Sequence, residues 1–188
     1  MNEMNRQSSD GAPTPSVYVS GARDGLPLGI YMLAVFLTAA YSIYQPVLSL
    51  VFMVLFVGLP VVLYLMLKRD FMRYPQLRFF SAVTMHGIAT FFFGALIFSA
   101  GVFVFLKWIE PYYFAEMFTR AIDAYSAFKT PEAAQMADTL RQMLDRGLIP
   151  TAGQFAFDII WSVMFSGCLL SMVLAWILRL RHRSMLKQ

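Results

Sequence analysis

The sequence predicts an all-α integral membrane protein, a four-helix bundle with an extramembrane helical hairpin between its third and fourth spans. Hydrophobic residues make up 59% of the 188 residues and charged residues only 14%. Four apolar runs each approach or exceed the length of about 20 residues that crosses a bilayer. Helices of a soluble bundle normally keep a polar stripe, whereas Asp158 is the only charged residue inside these runs.

The chain divides into three parts by composition. A polar lead rich in Ser, Pro and Gly is expected to be disordered, and a short basic tail ends the chain. Between them lies a membrane domain whose first two spans are joined only by Gln45 and Pro46, so they must form an antiparallel hairpin. The predicted boundaries are 1–24 for the lead, 25–180 for the membrane domain, 181–188 for the tail, and about 26–44, 47–67, 79–106 and 155–178 for the spans.

The insert 108–150 predicts two amphipathic helices, because its apolar residues recur at intervals of three and four. Thr130 is a suitable N-cap for the second helix, with Pro131 in its first position. Thr151 and Gln154 form a capping box for the fourth span. The hairpin either caps the bundle or lies in the outer lipid interface. Its polar faces carry both signs of charge, which favours the cap.

The distribution of Lys and Arg predicts the orientation of the chain. Ten basic residues fall in the two termini and the link between the second and third spans. The insert, together with Lys107 just before it, holds five basic and six acidic residues. Both termini and the link are therefore expected to be cytoplasmic, with the insert outside.

Asp158 is predicted to lie about one turn inside the outer edge of the fourth span. Ionisable residues at such depths are costly and usually paired. Lys107, at the outer end of the third span, is the expected partner, and Glu110 would compete for it. Pairing or snorkelling to water is favoured over a proton or ion relay.

His86 is expected two turns into the third span from the cytoplasmic side. A single membrane histidine more often hydrogen-bonds a neighbouring helix than carries protons. Because Asp158 belongs near the opposite face of the membrane, the two residues are not expected to form a direct pair.

Small residues recur along the third and fourth spans. Lipid provides no hydrophobic drive for helix association, so close approach through small residues is the usual means of contact. A tight contact between these two spans is expected, and the alternative is the lining of a substrate path. The residues concerned are Gly87, Gly94 and Gly101 on the third span and Gly167 and Ser171 on the fourth.

Catalytic and cofactor sites have no support in the sequence. Nucleophile-elbow, phosphate-loop and zinc-spacing motifs are lacking, and Cys168, the single cysteine, is expected to be a packing residue. We therefore expect no enzyme activity, no cofactor and no metal. The basic residues are explained by topology, so no nucleic-acid partner is expected either.

Three short motifs resemble an uncharacterised family of small four-span bacterial inner-membrane proteins, a domain of unknown function. They are Gly25-Leu26-Pro27-Leu28-Gly29, Gly94-Ala95-Leu96-Ile97 and Trp108-Ile109-Glu110-Pro111, followed by a Met-rich amphipathic insert. The resemblance covers about residues 25–180 and implies a multi-pass protein of the bacterial cytoplasmic membrane.

The leading functional hypothesis is a non-catalytic accessory or partner-binding subunit of an envelope complex. Its partners would be the lipid bilayer and another protein or further copies of itself. The alternative is an oligomeric small transporter or channel that uses Asp158 and His86.

Overall fold

The computed structural model describes residues 17–73 and 79–185, and the described residues form helices joined by short turns. Expectations for the lead up to residue 16, for Arg78 in the link, and for the side chains of the tail 181–188 lie outside them. The elements are α1 (Val17–Ser42), α2 (Pro46–Arg73), α3 (Phe80–Val104), a π-helical turn (Phe105–Ile109), α4 (Tyr113–Ala127), α5 (Pro131–Asp145) and α6 (Ala152–Met185).

The predicted fold class is confirmed. Four helices are long and apolar enough to cross a membrane, namely α1, α2, α3 with its π-helical turn, and α6. They run up and down, with α3 in the centre between α1 and α6. We call the end of the bundle with the α2–α3 connection the link end, and the end with α4 and α5 the hairpin end.

The first helix begins earlier than predicted. Residues 17–24, assigned to the disordered lead, form the first two turns of α1. Their polarity suggested a segment outside the bundle, but Ser20 and Asp24 are buried. An ideal Cβ on Gly21 would lie 2.6 Å from Ala89 Cβ, so these turns pack directly on α3. Tertiary contact therefore makes a helix of a segment that composition assigns to a disordered lead.

The hairpin has the predicted caps. Thr130 Oγ1 accepts a hydrogen bond from the amide of Ala133 at 3.3 Å. The amide of Thr151 donates to Gln154 Oε1 at 3.0 Å, and the amide of Gln154 donates to Thr151 Oγ1 at 3.3 Å. Gly147 adopts a φ of 65° beyond the end of α5, a conformation that glycine allows at a helix C-terminus.

Aromatic contacts join the hairpin to the bundle. The rings of Phe114 and Phe155 lie 5.0 Å apart, and those of Phe105 and Tyr113 lie 5.9 Å apart. Both involve the start of α4, which therefore packs on the ends of α3 and α6. For α4, these contacts favour the predicted cap on the bundle over a position in the lipid interface.

The larger hydrophobic core lies in the half of the bundle nearer the link end. It contains side chains from all four spans, including Leu28, Leu63, Phe91 and Leu174. A smaller core near the hairpin end contains residues of α1, α3 and the π-helical turn, but none of α2. The second span is thus built into the core at one end only.

Candidate functional site

Three ionisable side chains from three helices meet near the link end. Asp24 lies in the second turn of α1, Asp70 in the last turn of α2 and His86 in the second turn of α3. Their exposed fractions are 3%, 0% and 1%. Full burial of three such groups within candidate spans is costly without mutual contact, so their geometry is the first place to look for function.

The imidazole of His86 lies against both carboxylates. Its Nε2 atom is 3.3 Å from Asp24 Oδ2 and 3.2 Å from Asp70 Oδ2. Among the described residues, no donor is oriented to hydrogen-bond either Oδ2 atom, and His86 Nδ1 is buried without a partner as well. His86 Nε2 therefore converges with two carboxylate oxygens that accept no hydrogen bond. We call Asp24, Asp70 and His86 the triad.

Two arginines bind the other face of the carboxylates. Arg69 donates to Asp24 Oδ1 at 2.8 Å and to Asp70 Oδ1 at 3.2 Å. Arg23 lies 3.5 Å from Asp24 Oδ1 and 3.7 Å from Asp70 Oδ2. The arginine side chains are 49% and 56% exposed. They connect the buried triad to the aqueous side of the link end.

Glycines of α1 bring the triad together. An ideal Cβ on Gly25 would lie 2.6 Å from Phe93 Cβ and 2.9 Å from the carbonyl oxygen of Thr90. A side chain there would push α1 away from α3. Because Asp24 adjoins Gly25 in the sequence, this close approach is what lets its carboxylate reach His86.

The predicted pair of Asp158 and Lys107 does not form. Asp158 is exposed on α6, and no ion pair within 4.0 Å joins it to Lys107 in the described chain. Lys107 Nζ instead lies 5.3 Å from the ring centroid of Phe103 and 5.6 Å from that of Trp108. The π-helical turn that carries Lys107 directs the ammonium to these aromatic faces, a favourable cation–π arrangement.

Glu110 forms no ion pair with Lys107 among the described residues. It lines a pocket of about 660 Å³ at the hairpin end with Tyr41, Tyr44 and Glu116. Tyr44 donates a hydrogen bond to Glu116 Oε2 at 2.9 Å. This bond holds the phenol in its neutral form and raises the pKa of Tyr44 above its usual value. The bond joins the turn before α2 to α4, so the pocket belongs to the joint between hairpin and bundle.

Tyr113, at the start of α4, also has a raised pKa, and the cause there is burial.

The glycines of α3 contact two helices, whereas one was expected. Gly87 faces Ser171 on α6, where an ideal Cβ would lie 2.6 Å from Ser171 Oγ. Gly167 of α6 lies against Phe91 of α3.

Gly94 and Gly101 lie instead against α1, next to Gly25 and Leu33 respectively. A heptad spacing drifts around a straight helix by about 20° per repeat. Residues seven apart on α3 can therefore meet different neighbours along its length.

The sequence reasoning missed Asp24 and Asp70. Both lie in segments that the charge distribution assigns to the cytoplasmic side, and the sequence reasoning does not single them out as site residues. One signal could have revealed them: the dipeptide Arg–Asp occurs twice, at Arg23-Asp24 and at Arg69-Asp70. Each copy lies at the link end of an apolar run, the level at which His86 was also expected.

These features define a class, that of multi-pass α-helical membrane proteins with four spans. The family model described as "Protein of unknown function (DUF4199)" matches residues 23–179, and the chain belongs to this family. The expected membership in an uncharacterised four-span family is thereby confirmed. Neither the search of curated proteins nor that of solved structures gave a match.

Proposed function

We propose that the protein is a non-catalytic, multi-pass subunit of the bacterial inner membrane that binds a partner protein within the bilayer. The partner surface would be residues 46–62 of α2, the half of this helix nearer the hairpin end, together with the apolar groove beside it. We call these residues the outer half of α2. The hairpin and the basic link end would lie on opposite sides of the membrane.

The observation that carries this proposal is the uneven burial of α2. Among residues 46–62 none is buried, whereas Leu63, Leu67, Asp70 and Phe71 in the other half all are. In an apolar 18-residue stretch of each span, 11% of the residues are buried in α2, against 33–44% in the other three. A bundle helix normally buries one continuous stripe, so the outer half of α2 lacks an intramolecular neighbour along most of its surface.

A groove of about 680 Å³ lies between this half of α2 and helices α1 and α6. Its walls are almost wholly apolar, with Phe52, Phe56 and Val57 on one side and Ser166 and Gly167 at the α6 edge. Small residues let a further helix approach closely in lipid. One hydrogen bond, from Tyr31 to the carbonyl oxygen of Leu55 at 2.6 Å, crosses from α1 to this half of α2.

Photo-crosslinking in native membranes tests the proposal. A photoreactive residue replaces Val57, which lines the groove and is 66% exposed, or Phe165, which is 73% exposed on α6 and does not line it. We expect a discrete protein adduct from position 57 and none from position 165. The adduct's mass distinguishes a second copy from another subunit. Adducts with lipid alone at position 57 would contradict the proposal.

A second candidate function, cation-coupled transport, gains support from the triad. The form that relied on Asp158 and His86 is not supported, since Asp158 is exposed on α6 and His86 contacts Asp24 and Asp70. Proteoliposome flux measurements separate the two candidates. Transport through the triad requires that Asp24→Asn abolish flux while Asp158→Asn leave it intact. If the unaltered protein shows no flux, partner binding remains as the only one of the two candidate functions.

The proposed orientation needs its own test. In a Cys168→Ala background, cysteines replace Met72 near the link end or Asp138 in the hairpin, both exposed positions. A membrane-impermeant maleimide added to intact spheroplasts should label position 138 and not position 72. The reverse pattern would place the hairpin in the cytoplasm.

A further inference from the structure

We propose that the triad binds one divalent transition-metal ion, of the Zn²⁺ or Mn²⁺ type. The ligand atoms would be Asp24 Oδ2, Asp70 Oδ2 and His86 Nε2. This site is independent of the partner surface proposed above, because it lies at the opposite end of α2 and uses none of the same residues.

The first argument is the division of labour between the carboxylate oxygens. Both Oδ1 atoms are bound by Arg69, at 2.8 and 3.2 Å. Both Oδ2 atoms turn toward His86 Nε2 and accept no hydrogen bond within the described chain, although Arg23 lies 3.7 Å from Asp70 Oδ2 as a charge contact. Metal-binding carboxylates commonly show this pattern, with one oxygen for the ion and the other held by a second group that fixes its direction.

The second argument is distance. Two ligand atoms at about 2.1 Å from a tetrahedral ion are separated by about 3.4 Å. The observed separations of Nε2 from the two Oδ2 atoms are 3.3 and 3.2 Å. All three ligand atoms lie within 4.8 Å of one another. Two of the three separations thus match a tetrahedral site, so an ion could bind with small shifts of the side chains.

The third argument is that the alternative to a metal ion, a hydrogen bond from His86 to the carboxylates, leaves an acceptor without a partner. A neutral imidazole has one N–H group, which cannot satisfy two acceptors well. At least one buried Oδ2 atom would then lack a hydrogen bond, and although the arginines offset its charge it would keep the desolvation cost of an unsatisfied acceptor. A cation bound by Nε2 and both Oδ2 atoms removes that cost, because each oxygen then has a partner.

Charge balance limits how the ion is held. The guanidiniums of Arg23 and Arg69 already offset the two carboxylates, so a divalent ion adds positive charge. Because both arginine side chains are about half exposed, a solvent anion can offset that charge, or one arginine can turn outward. Two carboxylates with one imidazole suit zinc, manganese or iron rather than a soft thiophilic ion.

The test uses the full-length, tag-free protein in detergent, stripped with a chelator and then titrated with Zn²⁺, Mn²⁺ or Co²⁺. We expect one ion per chain. Affinity should fall by more than about 100-fold in Asp70→Asn and His86→Gln and stay unchanged in Asp158→Asn, an exposed acid of α6. Equal binding by all variants would overturn the site.

A second measurement keeps the proposal testable if the triad variants fail to fold. The chain has two histidines, His86 and His182, so a His182→Ala protein retains only the histidine of the triad. Co²⁺ bound there should give a tetrahedral-type visible spectrum and a paramagnetically shifted imidazole resonance. Absence of both in a folded, cobalt-treated His182→Ala protein would exclude the proposed site.

Discussion

His86 Nε2 lies 3.2 Å from Asp70 Oδ2, and this contact joins the second turn of α3 to the last turn of α2. It is one of few connections between these helices, since α2 packs mainly on α1. The buried end of α2 is therefore held by charge as well as by the apolar core. Its other half remains available to a neighbour in the membrane.

Replacement of Asp70 should destabilise the bundle. Asp70→Asn leaves Arg69 and His86 with one carboxylate between them. Removing one member of a buried ion pair costs about 3–5 kcal/mol, and the exposure of the arginines reduces the expectation to about 2 kcal/mol. Unfolding of the detergent-solubilised protein, followed by circular dichroism, measures the effect. Asp123→Asn, at an exposed position of α4, is the matched control and should change little; equal losses in both would refute a special role for Asp70.

The close approach of α1 and α3 should make Gly25 intolerant of even one methyl group. In Gly25→Ala the new Cβ would meet Phe93 Cβ at 2.6 Å and a backbone oxygen at 2.9 Å. We expect a loss of about 1–3 kcal/mol from overpacking, visible as a lower unfolding temperature. Gly153→Ala, also in a helix, has no atom within 4 Å of the new Cβ and should be neutral or stabilising by up to about 1 kcal/mol. Similar destabilisation by both would mean that helix contact is not the cause.

Double-mutant cycles should separate a real contact from the one that sequence suggested. For His86 and Asp70 we expect a coupling energy of about 1–3 kcal/mol, as for residues in one buried network. For Lys107 and Asp158 the coupling should be below about 0.5 kcal/mol, since they form no ion pair. The cycles use His86→Gln with Asp70→Asn and Lys107→Met with Asp158→Asn. A strong coupling between Lys107 and Asp158 would contradict the observed positions.

The joint between hairpin and bundle should weaken at high pH. The pKa of Tyr44 is raised by its hydrogen bond to Glu116, so the neutral phenol stabilises the folded state. That contribution is fully present below the ordinary tyrosine pKa of about 10 and is lost as pH rises through the folded value.

Ultraviolet titration can detect this tyrosine. Tyr44→Phe should remove one late-titrating phenol from the absorbance curve. Glu116→Gln should move the same component toward lower pH, because a neutral amide accepts the bond without opposing ionisation. An unchanged curve in Glu116→Gln would show that the carboxylate is not the cause.

Local rules were sufficient for the helical elements. Length and hydrophobicity define the four spans. Thr130 and Gly147 mark the two ends of α5, and the pair Thr151–Gln154 marks the start of α6. These signals act through neighbours a few residues away, so they can be read directly from the chain. They also suffice for the fold class, because the bilayer permits so few ways to satisfy the backbone of an apolar run.

The site depended on contacts between residues far apart in sequence. The sequence provided Asp24, Asp70 and His86, but each alone looked like a solvated acid or an isolated membrane histidine. The packing of α1 on α3, through Gly21 and Gly25, brings Asp24 to His86. The packing of α2 against this pair of helices adds Asp70. Likewise, the sequence did not reveal the π-helical segment, in which Lys107 lies near the rings of Phe103 and Trp108 and forms no ion pair with Asp158. Burial and charge pairing are properties of the assembled bundle, and for that reason the tertiary structure alone decided where the candidate chemistry lies.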